Sequence, residues 1–404
     1  MIVLLLSFFF SYSQASEVNL FPKAYFDSEK GVMVYGKVIQ IKDDKITGVF
    51  NRNQVKTVTE LKDLYLLPGF IDCHSHVLLA QLKGETEFED TLSREARMAP
   101  AERISRAKGF LKDYLKAGFT SLCDLGNSGR FLDAQLKKQT ENDHSFPHLY
   151  VSGPGIATHK GQFPENAKMG EVNNEYSIID GKTDIDKLLQ GYLNQKVDIL
   201  KIYLDNNPGI GSMDEVVLKK ILDNPKSKKF RKITYHASEL KSFELAERTP
   251  IESLEHANQI TVTSKISSLR YVTPTDQDSE TLKEFSYYRE PFYKAQSQRL
   301  KQLYQRKFVL VFGPDFYFHN PGAFNRAQYV KRTLKTYVEA NIPRAEILKA
   351  LTLNPARSLG EESKVGVIKK GAYANLIGFK RNPLETFDVV FEEPVVINRG
   401  SFLK

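Results

Sequence analysis

Leu67-Pro68-Gly69-Phe70-Ile71-Asp72-Cys73-His74-Ser75-His76 is the stretch whose reading decides the fold. An apolar run opened by Pro-Gly reads as a buried strand, and alternate residues of a strand face one side. His74 and His76 therefore point together, two imidazoles at chelating spacing near the strand's end. An HxH pair also arises by accident, so its meaning depends on the rest of the chain.

Seven further strand-like runs come after it, at 120–126, 148–153, 197–205, 232–238, 253–257, 270–275 and 308–315. Amphipathic stretches separate most of them; one such stretch, 101–118, ends on Gly118 as a helix C-cap. Strands alternating with helices over residues 67–361 predict an α/β fold, a (β/α)8 TIM barrel. A doubly wound open sheet is the runner-up, and no Gly-rich phosphate loop supports it. The flanking segments 16–66 and 362–404 carry short β-like runs, with a hairpin turn at Asp43-Asp44. Both chain ends are expected to pair into one small β-sandwich domain.

Four later runs carry the other chemically informative side chains. Lys201 lies in VDILKIYL, His236 in KITYHAS, His256 in SLEHA and Asp315 in VLVFGPD. Each falls on or at the C-terminal end of a predicted barrel strand, where barrel active sites gather. Taken singly, each reads most simply as a satisfied structural polar group. Together with His74 and His76 they form a donor set suited to zinc or a similar divalent ion. A lysine buried in a strand is costly as an ammonium ion. Its neutral amine can add carbon dioxide to give a carbamate, an anionic bridging ligand.

LPGFIDCHSH resembles the PGxIDxHxH signature of the amidohydrolase superfamily, and the likeness continues along the chain. LKIY, TYHAS, SLEHA and FGPD resemble the segments holding that family's carboxylated lysine, two further histidines and aspartate. The tail ALTLNPARSLG with VGVIKKGAYANLI is similar to the family's return to its β domain. The branch it looks closest to is the imidazolonepropionase-like group, which includes Xaa-Pro dipeptidases. The resemblance implies two divalent metal ions. His74, His76 and Asp315 would hold one, His236 and His256 the other, and carboxylated Lys201 would bridge them. Asp315 would double as general base and proton shuttle. The implied reaction is C–N bond hydrolysis in a small substrate such as an Xaa-Pro dipeptide or an N-acyl amino acid. Cleavage of a lactone or phosphotriester on the same metals is the alternative, and a non-catalytic binding barrel a weaker one.

Several positions depart from the family pattern. Asn375 replaces an aspartate of the β domain, and Pro314 replaces the threonine before Asp315. Asp205-Asn206-Asn207 stands where a Gly pair usually follows the lysine. His159 occupies a turn that usually reads Gly-Gly-His and becomes a tentative substrate contact, as does Tyr203. Asp124, at the end of a strand, is a candidate support for a ligand histidine. His319 divides evenly between a loop surface and such a supporting role. His144 and His148 fall at the opposite end of the barrel and read as structural. Tyr287, Tyr288 and Tyr293 read as packing residues of a helical insert.

Composition narrows the rest. The 404 residues are 41% hydrophobic and 26% charged with a net charge of +8, an ordinary globular balance. The densest basic run, 226–232, comes with no nucleic-acid motif and reads as a solvated connection, so no nucleic-acid partner is expected. Residues 1–15 carry an apolar run too short to span a bilayer, ending in a small-residue cleavage pattern. That segment reads as a signal peptide, which implies export and no stable membrane insertion. Only Cys73 and Cys123 are present, each inside an apolar run, and buried free thiols are expected. A homo-oligomer is compatible with these features.

Overall fold

The computed structural model describes residues 17–403 apart from 86, 207–210, 251, 258, 261–269, 276–282, 284–289 and 321–324, with 290–294 described by backbone alone. The expected signal segment 1–15 and the residues Tyr287 and Tyr288 lie outside the described residues. Tyr293 falls within a helix, Glu290–Gln305. Among the described residues no helix is long and apolar enough to cross a membrane.

Both chain ends meet in one sheet. Its N-terminal strands are β1 (Glu17–Asp27), β2 (Val32–Tyr35), β3 (Lys37–Lys42), β4 (Lys45–Asn51) and β5 (Thr59–Pro68). Its C-terminal strands are β18 (Leu376–Phe379), β19 (Val395–Asn398) and β20 (Ser401–Phe402). The order is β20-β19-β18-β5-β1-β3-β4, with β2 paired to β1. Asp43 takes the left-handed conformation that the β3–β4 hairpin requires. Both chain ends thus pair into one domain through a single eight-stranded sheet. Its two halves join through the antiparallel β18–β5 pair, and Ile39, Ile41 and Ile46 of one half pack in the same core cluster as Leu376 and Ile397 of the other. The far end of the sheet curls back, because Ile46 N–H donates to Ala372 O and Ala374 N–H to Asp44 O.

The middle of the chain supplies parallel strands in the order predicted. They are β6 (Phe70–Ser75), β8 (Phe119–Asp124), β9 (His148–Val151), β10 (Gly155–Ala157), β12 (Ile199–Tyr203), β13 (Lys232–His236), β14 (Ser253–His256), β15 (Tyr271–Pro274) and β16 (Val309–Leu310). A short β11 (Tyr176–Ile178) flanks β10, and β7 (Gln81–Leu82) pairs with β17 (Phe318–His319) beside the strand ends. Hydrogen bonding divides the barrel strands into a three-stranded sheet, β6-β8-β9, and a seven-stranded one running from β11 to β16.

The divisions have local causes. Gly153, at positive φ, and Pro154, which has no N–H to give, interrupt the third strand between β9 and β10. After β16 the chain runs into Gly313-Pro314, and Pro314 likewise has no N–H to give. Backbone bonds still bridge both gaps: Asp198 N–H donates to Val151 O at 2.9 Å, and Cys73 N–H to Phe312 O at 2.9 Å. The result is a TIM-barrel-like α/β domain whose first and last strands are neighbours. Cys73 and Cys123 are buried free thiols on β6 and β8, with sulfurs 3.1 Å apart.

Helices cover the outside of these strands. Helix α1 (Phe88–Arg97) precedes α2 (Pro100–Lys116), which starts on proline, where a missing N–H costs nothing. Ile104, Ala107, Leu111, Tyr114 and Leu115 recur every three or four residues along α2 and bury its inner face. They join the large core that also holds Phe119, Leu122, Ile202, Leu254 and Val272. Burying a side chain of this size stabilises by about 1.5–3 kcal/mol. Gly118, at φ +99, then turns the chain into β8.

Candidate metal centre

Six side chains reach one point at the C-terminal ends of the strands. His74 and His76 leave β6 on the same side, as strand alternation requires. His76 Nε2 lies 3.0 Å from Asp315 Oδ1 and His74 Nε2 lies 3.5 Å from it. One donor atom from each of the three falls within 4.8 Å of the others, a spacing one metal ion can span. Lys201, from β12, brings its Nζ to 3.3 Å from His74 Nε2. On the other side His236 Nδ1 and His256 Nε2 face each other at 2.6 Å.

Backbone geometry sets these positions. Asp315 and His256 are both held at positive φ, 56° and 68°, a conformation that costs non-glycine residues about 1–3 kcal/mol. Asp315 is fixed by its own N–H, which donates to His74 O at 3.0 Å. Gly313 permits this approach, since a Cβ there would come within 2.6 Å of the His74 nitrogen.

Burial and charge prepare the donors. Desolvation lowers His74, with the Lys201 charge adding to it, and lowers His236 and His256 well below the ordinary imidazole range. The rings are therefore neutral and keep lone pairs for a metal. Desolvation also brings Lys201 down to about 8. Burial pushes Asp315 up, but His74, His76 and Lys201 outweigh it and hold the carboxyl at about 2. The donor chemistry and its protonation thus fit divalent metal ions.

Two of the rings are pinned from behind. His76 Nδ1 bonds to Gly126 O at 2.8 Å, and His74 Nδ1 lies 2.9 Å from Glu255 Oε2. Both contacts select the tautomer that presents Nε2 to the centre. Glu255 is itself buried. Lys232 donates to its Oε1 at 2.9 Å and Thr234 at 2.6 Å. Lys232 and His74 overcome the desolvation of Glu255 and keep it well below the usual carboxylate range. Arg326 performs a related task with buried backbone: it donates to His76 O, Leu79 O and Tyr317 O. That ties the chain leaving His76 to the chain leaving Asp315.

Glu255 stands beside a predicted ligand, yet the sequence alone singles out neither it nor Arg326. Removing Glu255 should be costly. Glu255→Gln is expected to weaken metal binding about 10–100-fold. Glu255→Ala should cost about 3–5 kcal/mol by leaving the Lys232 ammonium buried without its partner. Competition titration with a chelating dye and urea denaturation check the two; wild-type values in both would refute the role.

The weaker candidates fall differently. Tyr203 lines the cavity over the centre and stacks on His236, 5.0 Å between ring centres. His159 is exposed, in the left-handed region, and is absent from the cavity lining. Asp124 is buried but makes no hydrogen bond to a ligand histidine among the described residues; the carboxylate beside such a histidine is that of Glu255, 2.9 Å from His74 Nδ1. His319 lies on β17 against Phe110, and His144 is near Ser401, away from the centre. His148, packed on Tyr150, is brought down to about 4 by burial, as suits a structural residue.

Known proteins resemble this chain over nearly its whole length. The amidohydrolase family model matches residues 65–398. A 5-methylthioadenosine/S-adenosylhomocysteine deaminase from Caldanaerobacter subterraneus subsp. tengcongensis is 24% identical over 349 residues, 80% of this chain and 75% of that protein. A prolidase complexed with n-methylphosphonate-l-proline superposes with a TM-score of 0.82 at 21% identity, covering 96% of this chain and 100% of that one. An Xaa-Pro dipeptidase with methionine in its active site gives 0.78 at 20%, with coverages of 96% and 100%. Ochratoxinase from A. niger gives 0.78 at 18%, with coverages of 97% and 96%. At such identities the superpositions establish fold alone. With the family match spanning barrel and sheet, and a His-His-Asp cluster where a metal fits, the chain belongs to the amidohydrolase family and is a metal-dependent enzyme that hydrolyses C–N bonds.

Proposed function

We propose that this protein is a binuclear hydrolase that cleaves the amide or peptide bond of a small substrate, an Xaa-Pro dipeptide or an N-acyl amino acid. The observation that carries the reading is the arrangement of two donor groups around one lysine. His74, His76 and Asp315 gather within reach of one ion, His236 and His256 face each other at 2.6 Å, and the Lys201 amine reaches His74 from β12, the strand next to the one that carries His236. Residues 1–15, read as a cleaved signal, make it an exported enzyme.

His74, His76 and Asp315 would hold one ion and His236 and His256 the second, with carboxylated Lys201 between them. Bound divalent ions, zinc being the one these donors suit, supply an activated water at neutral pH and polarise a carbonyl. Asp315 receives the proton of the attacking water and delivers it to the leaving nitrogen, which needs that proton to depart as an amine. Its ionised state at neutral pH equips it for the first half of that exchange. Above the centre lies a cavity of about 430 Å³ with Asn127, Gln162, Tyr203 and Asn206 in its wall. Its size suits a dipeptide, and its amides and hydroxyl can orient the scissile bond. Likeness to an Xaa-Pro dipeptidase and a prolidase supports this substrate class.

Metal analysis of protein prepared with excess zinc should find close to two ions per chain. A metal-free or clearly mononuclear protein would overturn the binuclear reading. Hydrolysis of a dipeptide and N-acyl amino acid library, against lactones and phosphotriesters, tests the substrate. Turnover confined to esters would remove the amide assignment.

A further inference from the structure

His236 has its back to a residue that the sequence marks as unusual. The family's Gly pair after the strand-four lysine is replaced here by Asp205-Asn206-Asn207. Asp205 is only 4% exposed and lines the cavity. Its Oδ2 accepts hydrogen bonds from the N–H groups of Ser238 and Glu239, which ties the turn after β12 to the turn after β13. The same oxygen lies 3.4 Å from His236 Nε2, and the Ser238 hydroxyl is 3.3 Å from that nitrogen. Tyr203 stacks flat on the ring, with 24° between the planes. His236 is thus gripped on one edge and one face, and only Nδ1 is turned towards His256.

The geometry points to Asp205 as the positioning residue that selects the tautomer of His236. An ionised carboxylate oxygen can only accept, so its approach to Nε2 favours the ring proton there and leaves the Nδ1 lone pair free. Serine alone could not enforce this, because its hydroxyl can donate to Nε2 as readily as accept from it. The Asp205 clamp therefore supplies to His236 what Glu255 supplies to His74. The expected effect on metal affinity rests on the binuclear reading; the tautomer does not.

Asp205→Asn is the decisive variant. Asparagine keeps the size, but the one position that serves Ser238 N–H, Glu239 N–H and Nε2 becomes either a neutral, weaker acceptor or, with the amide turned, an NH2 that donates to Nε2; in both cases the hold on the Nε2 proton is lost and it can move to Nδ1. Nitrogen NMR of ¹⁵N-histidine-labelled, metal-free protein should show His236 protonated at Nε2 in the wild type and shifted towards Nδ1–H in the variant. Zinc titration should show the weaker of two sites losing about 10–100-fold in affinity while the other is unchanged. Asp205→Glu, which can restore an accepting carboxylate, should recover part of it. A wild-type His236 already protonated at Nδ1, or a folded Asp205→Asn protein with wild-type tautomer and two unchanged zinc affinities, overturns the assignment. If Asp205→Asn does not fold, wild-type NMR and the Asp205→Glu titration decide it. A wild type that binds one zinc ion defeats the binuclear reading instead, and the NMR measurement still tests Asp205.

Discussion

Asp315→Asn is expected to lower kcat about 10³-fold and to leave the fold intact. The two side chains have the same shape. Asparagine also tolerates the left-handed backbone at this position better than most residues. The bond that fixes the position, Asp315 N–H to His74 O, belongs to the backbone and survives the change. What disappears is the proton acceptor beside His76 and one anionic donor of the cluster. The amide can neither take the water's proton nor hand one to a leaving amine. The protein should still fold, with a thermal midpoint lowered by the loss of the ionised carboxyl, while steady-state turnover collapses, and wild-type rates in this variant would refute the role of Asp315 as base.

The same residue gives a pH signature in metal-free protein. Its carboxyl is depressed to about 2 from the ordinary 3.8. A depressed carboxyl stabilises the folded state fully above its unfolded value, and that stability is lost as pH falls through the folded value. Wild-type protein should therefore lose this share of its stability between about pH 4 and pH 2. The asparagine variant should be flatter over that window.

Much of the centre was legible because barrel ligands obey a simple rule. They sit on strands or just past their ends, and strands can be read from apolar runs. The Val197–Asp205 run becomes Ile199–Tyr203 with Lys201 at its middle, and the Lys232–Ser238 run becomes Lys232–His236 with its histidine last. The eighth run was legible only in part. Its regular ladder covers Val309–Leu310 alone, and Asp315 is delivered by an irregular Gly-Pro-Asp turn. A run of apolar letters does not show such a turn.

Supporting residues were harder to see because their roles are made by distant partners. Glu255 neighbours His256 in sequence, yet it serves His74, 181 residues earlier, as the short His74–Glu255 contact shows. Lys232 closes the basic run that reads as a solvated connection, but the chain enters β13 there and turns that ammonium inward onto Glu255. Composition says nothing of either. The chain-end sheet is legible only as strands for a similar reason: alternation identifies strands, whereas their order depends on which ends meet.

Lys201→Ala carries the other large expected effect, and its value lies in the rescue. Lys201 is 1% exposed, and burial outweighs the pull of Glu255 and Asp315 to bring its amine to about 8. Near pH 7 roughly a tenth of such an amine is neutral, against well under a thousandth at its ordinary value. Only the neutral form can add carbon dioxide. If the working group is the resulting carbamate, deletion should lower kcat on the order of 10³-fold, and added acetate or propionate should restore part of the loss by placing a carboxylate in the vacated space. Propylamine should not. The opposite pattern, rescue by the amine and none by the acids, would mean that Lys201 acts as an ammonium. Failure of both acids while two metal ions stay bound would equally remove the carbamate. The comparison is sharp because acetate and propylamine are close in size and differ in charge, so packing alone cannot account for a preference between them.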